Sequence, residues 1–276
     1  KIKKFIVKKH GLIADYIGLR GDVILPSFDE IYLEKPNASG MFTPIENESI
    51  NSSIHIDSLI SRYRAAFDQN TLTEIKNISK GLMILGVVGN NSGFIAGGLG
   101  RDGKAHYPII NQNQFTFWFY GLTKYLGTGY QSEIEEEAIL QKMIEAAGVL
   151  EKNNWNLVSG NPRKYKISGS FTNSDYFSSV RLLFVLKMIY NITGSKKWIK
   201  YYNEKGSEII NSGKNRFDLC RDGFAEFTAE NIWDCVISQI ALNYLYKNDD
   251  NITNRENFRN GLIKNAKSAE AYIYYY

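Results

Sequence analysis

Five short stretches hold the residues of this chain that could do chemistry. "PIENES" carries Glu46, Asn47 and Glu48, and "GRDGKAHYP" carries Asp102, His106 and Tyr107. "NQNQFTFW" carries Gln112, Gln114 and Trp118, "NSDY" carries Asn173, Ser174, Asp175 and Tyr176, and "RDGFAEFTAENIW" carries Arg221, Asp222, Glu226, Glu230 and Trp233. Carboxylates, one imidazole and aromatic rings together suit sugar chemistry. Two carboxyls in unequal environments serve as acid and base in glycoside hydrolysis. A His/Tyr pair could instead abstract the proton beside a uronate carboxyl, as a lyase does. The candidate acid–base pair is Glu46 and Asp102, with His106 orienting the substrate or tuning one carboxyl. Glu46 follows Pro44-Ile45 and is expected to be desolvated; Asp102 lies beside Arg101 and Lys104, which would keep it charged. Substrate contacts are expected from Asn47, Tyr107, Gln114, Trp118, Asp175, Tyr176, Arg221, Asp222 and Trp233. Taken singly, each also fits a helix cap or a solvated loop charge, Asp175 above all. Glu46 equally fits a residue that holds the N-terminal segment in place.

Gly98, Gly100 and Gly103 have the G-x-G-x-x-G spacing of a dinucleotide loop. That fingerprint needs a strand before it and a helix opening inside it. Here the next helical pattern begins only near Asn113, so no cofactor is expected. The better reading is a glycine-supported loop, with a tight turn at "RDG", that carries Asp102, His106 and Tyr107.

Composition narrows the partners. Thirty-three basic against 29 acidic residues, spread along the chain, make no basic stripe of the kind that tracks nucleic acid. The N-terminal cluster "KIKKFIVKKH" reads as a solvated end. No apolar run approaches the ~20 residues of a membrane span. Cys220 and Cys235 lack metal-ligand spacing, so no metal is expected, and they read as two inert thiols, with a disulfide between them as the alternative. The sequons at Asn37 and Asn191 are explained as well by abundant Asn as by glycosylation.

The elements that must position these groups are mostly helical. Residues 1–48 read as loop and short strands, with "GDVILPSFDEIYL" alternating. From residue 50 onward apolar residues recur at helical spacing, as at Ile56, Leu59, Ile60 and Tyr63. "QFTFWFYGLTKYL" and "SSVRLLFVLKMIY" are apolar nearly all round and should be the most buried. "SEIEEEAILQKMIEAAGVLEK", with a Ser cap and early Glu residues, should lie outside. Buried and amphipathic helices alternate with a period of about 60 residues, and Tyr63, Tyr125, Tyr190 and Tyr246 each precede a short turn. Long loops at 87–112, 153–173 and 213–230 separate the hairpins and hold most of the candidate residues. This pattern predicts one all-α domain over 1–276, an (α/α) toroid of inner and outer helices, with the open α-solenoid as alternative.

"KPNASGMFTPIEN", "GRDGKAHYP" with "NQNQFTFWFYGLTKYLGTG", and "SDYFSSVRLLFVLKMIYNITGSKKWIKYY" resemble the bacterial six-hairpin glycosidase-like proteins. The resemblance runs from about residue 11 to 250. It implies a toroid fold, an oligosaccharide or polysaccharide substrate, and export to the periplasm or beyond. By position it puts Glu46, Asp102, His106, Gln114 and Asp175 in cleft-facing segments. The chain departs from the pattern in having four readable hairpins rather than six: either the N-terminal segment and further chain complete the ring, or C-terminal hairpins are missing, as "AEAYIYYY" stopping inside a helical pattern supports, or the barrel is open. Activity in that superfamily ranges over hydrolases and lyase domains. The leading expectation is a glycoside hydrolase acting on oligosaccharides, uronate-containing ones included. The others are a polysaccharide lyase and a non-catalytic glycan-binding toroid.

Overall fold

The computed structural model describes residues 2–35, 45–210, 213–228 and 231–275, without the side chains of 273–275. The chain is mostly helical and divides into two compact units, Lys1–Gly169 and Ser170–Tyr276. Sequon Asn37 and much of "KPNASGMFTPIEN" lie outside the described residues, as does Glu230.

The first unit opens with an irregular segment. Two isolated antiparallel bridges, Ile6 with Ile13 and Ile17 with Val23, are its only β pairing among the described residues. The alternating "GDVILPSFDEIYL" is not a strand throughout: its second half forms α1 (Phe28–Tyr32). The reason is local. Ser27 caps the N–H of Glu30, and the Glu30 carboxylate accepts from the Ser27 N–H at 2.7 Å. This reciprocal capping box outweighs alternation.

Four long helices follow: α2 (Glu48–Ala66), α3 (Gln69–Val87), α4 (Gln112–Leu126) and α5 (Glu133–Lys152). Asp68 caps α3, Asn111 and Gln114 form a capping box on α4, and Ser132 and Glu135 form one on α5. The long apolar helix α4 packs on α2 and α3. Phe115, Phe117, Trp118, Phe119 and Leu122 are fully buried, each such side chain being worth about 1.5–3 kcal/mol on burial. α5 buries only the stripe Ile139, Met143, Ala146, Ala147 and Leu150.

Contacts between α2 and α4 fix their direction. Ser49 Oγ donates to the Gln114 carbonyl at 3.2 Å and Ser53 Oγ to the Phe117 carbonyl at 2.6 Å. Tyr120 donates to Asp57 Oδ2 at 2.6 Å, and Lys124 pairs with Asp57 at 3.0 Å. Residue numbers rise together on both sides, so the two helices run parallel. A two-stranded pair, β1 (Asn156–Leu157) with β2 (Gly169–Ser170), follows α5.

The second unit contains α6 (Tyr176–Thr193), α7 (Lys196–Ser207), α8 (Arg216–Asp222), α9 (Ile232–Asn248) and α10 (Ile252–Tyr275). α6 packs on α7, α8 and α9, while α10 packs on α8 and α9. Arg181 binds Asp234, and Asn191 donates to Tyr244 Oη at 3.1 Å. The two pairs share one offset, so α6 and α9 are parallel too. α8 lies where a loop was expected. Asn215 and Asp218 form a capping box and bury Arg216, Phe217 and Cys220 on one face; seven residues are too few for a readable period. Cys220 and Cys235 are free thiols. Among the described residues no helix is long and apolar enough to cross a membrane.

Candidate functional site

The N-terminal ends of α2 and α4 gather a cluster of carboxyls. Asp15, from the irregular N-terminal segment, accepts the backbone N–H groups of Glu46 and Asn47 on Oδ2, both at 2.8 Å. Its Oδ1 accepts from the Asn51 side chain at 2.8 Å. Asp15 thus replaces the missing side-chain cap of α2, since Asn47 at the N-cap position makes no capping bond. Burial pushes the Asp15 carboxyl up to about 6, against the pull of these three donors. The Glu46 carboxyl, half-buried, is also pushed up, by burial first and then by the Asp15 charge. Glu46 is held by its main chain at both ends: its N–H by Asp15 and its carbonyl by the Gln114 side-chain amide.

Glu48 lies deeper. Its carboxyl is fully buried and raised well above the ordinary range by that burial, opposed by the Leu99 N–H and reinforced by Asp15. Oε2 accepts from Leu99 N–H at 2.9 Å, while Oε1 is buried with no partner among the described residues. A carboxyl in this state holds its proton.

The glycine loop explains itself here. A Cβ on Gly98 would collide with the Ile45 carbonyl and lie 3.0 Å from the Glu48 carboxyl carbon. The glycine lets the loop approach closely enough to offer Leu99 N–H to Glu48. No strand precedes the loop and α4 opens only at Gln112, so the dinucleotide arrangement is absent.

Asp102 and His106 sit further along that loop. Asp102 Oδ1 accepts the N–H groups of Lys104 and Ala105 at 2.9 and 2.8 Å, closing a turn in which Gly103 has φ +73°. Partial burial pushes the Asp102 carboxyl up, but these two N–H groups and the Lys9 ammonium outweigh it and hold it below its usual range. The cation involved is Lys9, which also donates to the Asp102 carbonyl. Arg101 instead reaches the Leu25 carbonyl at 3.4 Å, and Lys104 contributes its backbone. His106 faces Phe94 with ring centroids 5.5 Å apart, and burial lowers its pKa. The Lys104 carbonyl, 3.0 Å from Nδ1, can only accept, so Nδ1 carries the proton and Nε2 the lone pair.

Several expected contact residues have other work. Trp118 is fully buried and donates Nε1–H to the Leu82 carbonyl at 2.7 Å, which makes it core rather than a stacking platform. Gln114 spends its amide on Asn111 N–H and the Glu46 carbonyl. Tyr107 is buried among Val7, Ala14, Leu25, Ile31 and Ile45, and burial pushes its hydroxyl up to about 12. In the second unit Asp175 caps α6, accepting from the Ser178 N–H at 2.8 Å and hydroxyl at 2.7 Å. The Tyr176 hydroxyl is buried and accepts from Asn265 at 2.7 Å. Arg221 pairs with Asp218 and Asp222, and Asp222 also with Lys214 and Lys264. Trp233 is 57% exposed.

In the first unit the structure therefore joins Glu46, Asn47 and Gln114 to Glu48 and to Asp15, which the sequence reading missed. "IADYIG" offers no motif around Asp15; a lone acid between apolar residues was its one signal. Among the described residues no three His, Cys, Asp or Glu side chains are placed to hold a metal ion. Comparisons with protein-family models, curated proteins and solved structures found no match.

Proposed function

We propose that this chain is a carbohydrate-active protein of the (α/α)-toroid kind, a glycoside hydrolase for oligosaccharides, uronate-containing ones included. The observation that carries the reading is the opposite tuning of two carboxyls in one unit: Glu46 is raised by burial and by Asp15, while Asp102 is held ionised by N–H donors and Lys9. Acid–base hydrolysis requires one carboxyl shifted toward its acid form and a second held as carboxylate, the directions in which Glu46 and Asp102 are shifted. Glu46 is the proton donor in this reading, Asp102 the base or nucleophile, and His106 a neutral group that orients substrate. The parallel pairs α2/α4 and α6/α9 support hairpins wound as inner and outer layers. A single ring spanning both units, and an exported location, are parts of the same proposal.

A lyase is the second reading. It is favoured by the His106 tautomer, whose Nε2 lone pair is available as a base, and weakened by the burial of Tyr107.

A screen of neutral and acidic oligosaccharides and polysaccharides, read two ways, tests these assignments. Hydrolysis gives new reducing ends without ultraviolet absorbance, and elimination gives a conjugated double bond that absorbs. Sugar binding with neither signal would leave a non-catalytic glycan-binding protein.

A further inference from the structure

The N-terminal segment and one face of α3 enclose a second feature, a groove of about 670 Å³. That volume falls within the range of small-molecule sites. Lys3, Lys8, Lys9 and Lys80 line it, against a single carboxylate, Glu74. Glu74 is already engaged, its Oε1 lying 2.9 Å from His55 Nε2. Lys9 is committed to the Asp102 carbonyl, whereas Lys3, Lys8 and Lys80 form no salt bridge among the described residues. Four lysines against one carboxylate leave the wall net positive, and a concave wall focuses its field on the space it encloses.

His10 supplies a reporter. It belongs to the same wall and is only 6% exposed, and its ring nitrogens, sealed from solvent, have no hydrogen-bond partner among the described residues. The close seat of this segment enforces the burial: Gly11 has φ +74° and a Cβ there would lie 2.6 Å from the Asn77 carbonyl, while one on Gly81 would collide with the His10 carbonyl. The ring is therefore a buried neighbour of the groove, placed to sense what enters it rather than to bind it. The side-chain amides of Asn70 and Asn77 on the same wall make no hydrogen bonds among the described residues and suit neutral hydroxyls.

We propose that this groove binds an acidic sugar, a carboxylate or phosphate carried on a polyhydroxylated body, with Lys3, Lys8 and Lys80 neutralising the anion and Asn70 and Asn77 reading hydroxyls. The groove shares Lys9 with the hydrolase reading, where it holds Asp102 ionised, but Lys3, Lys8, Lys80, Asn70 and Asn77 have no role there.

The test follows the His10 imidazole resonances of the full chain by NMR at constant ionic strength, with glucuronate, glucose 6-phosphate, inorganic phosphate and glucose. Saturable shifts of His10 with either acidic sugar, tighter than with inorganic phosphate and absent with glucose, are expected; the two acidic sugars distinguish carboxylate from phosphate. Lys8→Ala combined with Lys80→Ala, both exposed side chains, should weaken binding about tenfold with an unchanged circular dichroism spectrum. An unresponsive His10, inorganic phosphate binding as tightly as the sugars, or undiminished binding by the double variant overturns the proposal.

Discussion

Glu48 and Leu99 meet in fully buried surroundings, the carboxyl Oε2 accepting the backbone N–H at 2.9 Å while Oε1 goes unpartnered. The bond ties the start of α2 to the glycine loop 51 positions further on. A protonated carboxyl and a carboxamide are nearly isosteric. Glu48→Gln should therefore change unfolding free energy by less than about 1 kcal/mol. Glu48→Ala leaves Leu99 N–H without an acceptor and opens a cavity, costing about 2–4 kcal/mol. Urea unfolding at neutral pH separates the two; an equal loss in both variants would mean that Glu48 works as a charge.

Buried acids also set the pH dependence of stability. Burial raises the folded pKa of Asp15 from 3.8 to about 6, and lifts that of Glu48 well above its usual range. Between the unfolded and folded values the folded state holds protons that the unfolded chain releases. The contribution is thus complete below pH 3.8 and is lost as pH rises through about 6 for Asp15, with Glu48 extending the decline. Chemical unfolding measured across this window should show falling stability, and Asp15→Asn should flatten the slope between pH 4 and 6. A slope unaffected by the substitution would remove Asp15 as its source.

Turnover tests the carboxyl assignments. On the substrate found by the oligosaccharide screen, Glu46→Gln and Asp102→Asn should each lower kcat by about 10²-fold or more with folding unchanged. The pH–rate profile should lose its alkaline limb in Glu46→Gln, because that limb reports the proton donor. Near-normal turnover in either variant takes that residue out of the mechanism and leaves it an anchor or a turn.

Gly121 on α4 offers a test of the fold in which propensity and packing oppose one another. Alanine is favoured over glycine by about 1 kcal/mol within a helix. Here the added Cβ would collide with Ser53 Oγ and lie 2.9 Å from Ser53 Cβ. Gly121→Ala should therefore destabilise, by about 1–3 kcal/mol, and Ser53→Ala in the same chain should restore part of the loss. A stabilised Gly121→Ala in thermal unfolding would contradict the α2–α4 seam.

Helices were legible wherever apolar spacing persisted over several turns, as in "QFTFWFYGLTKYL", because burial of a whole face overrides local choices. The capping pattern at Ser132 was legible for the same kind of reason, a local hydrogen bond with a local signature. α1 and α8 were not, being shorter than the window in which a period declares itself. At the candidate site, Glu46 beside apolar residues correctly suggested desolvation. The cation near Asp102 is Lys9 rather than its sequence neighbours, and Asp15 joins Glu46 across 31 positions. Such meetings depend on how the N-terminal segment folds back, which no spacing within it encodes.

The Ser49, Ser53 and Asp57 contacts on α4 act like the teeth of a ratchet. Each engages at successive turns of the same face. Sliding one helix past the other by a single residue would turn that face by about 100° and disengage every tooth together. Movement along the seam is therefore stepwise, not graded. Glu46 and Glu48 enter at one end of this ratchet and Gln114 at the corresponding end of the other helix. Their spacing is inherited from the whole length of the seam, so a distant change such as one at Gly121 should reach the carboxyls as a lost register rather than as a small drift.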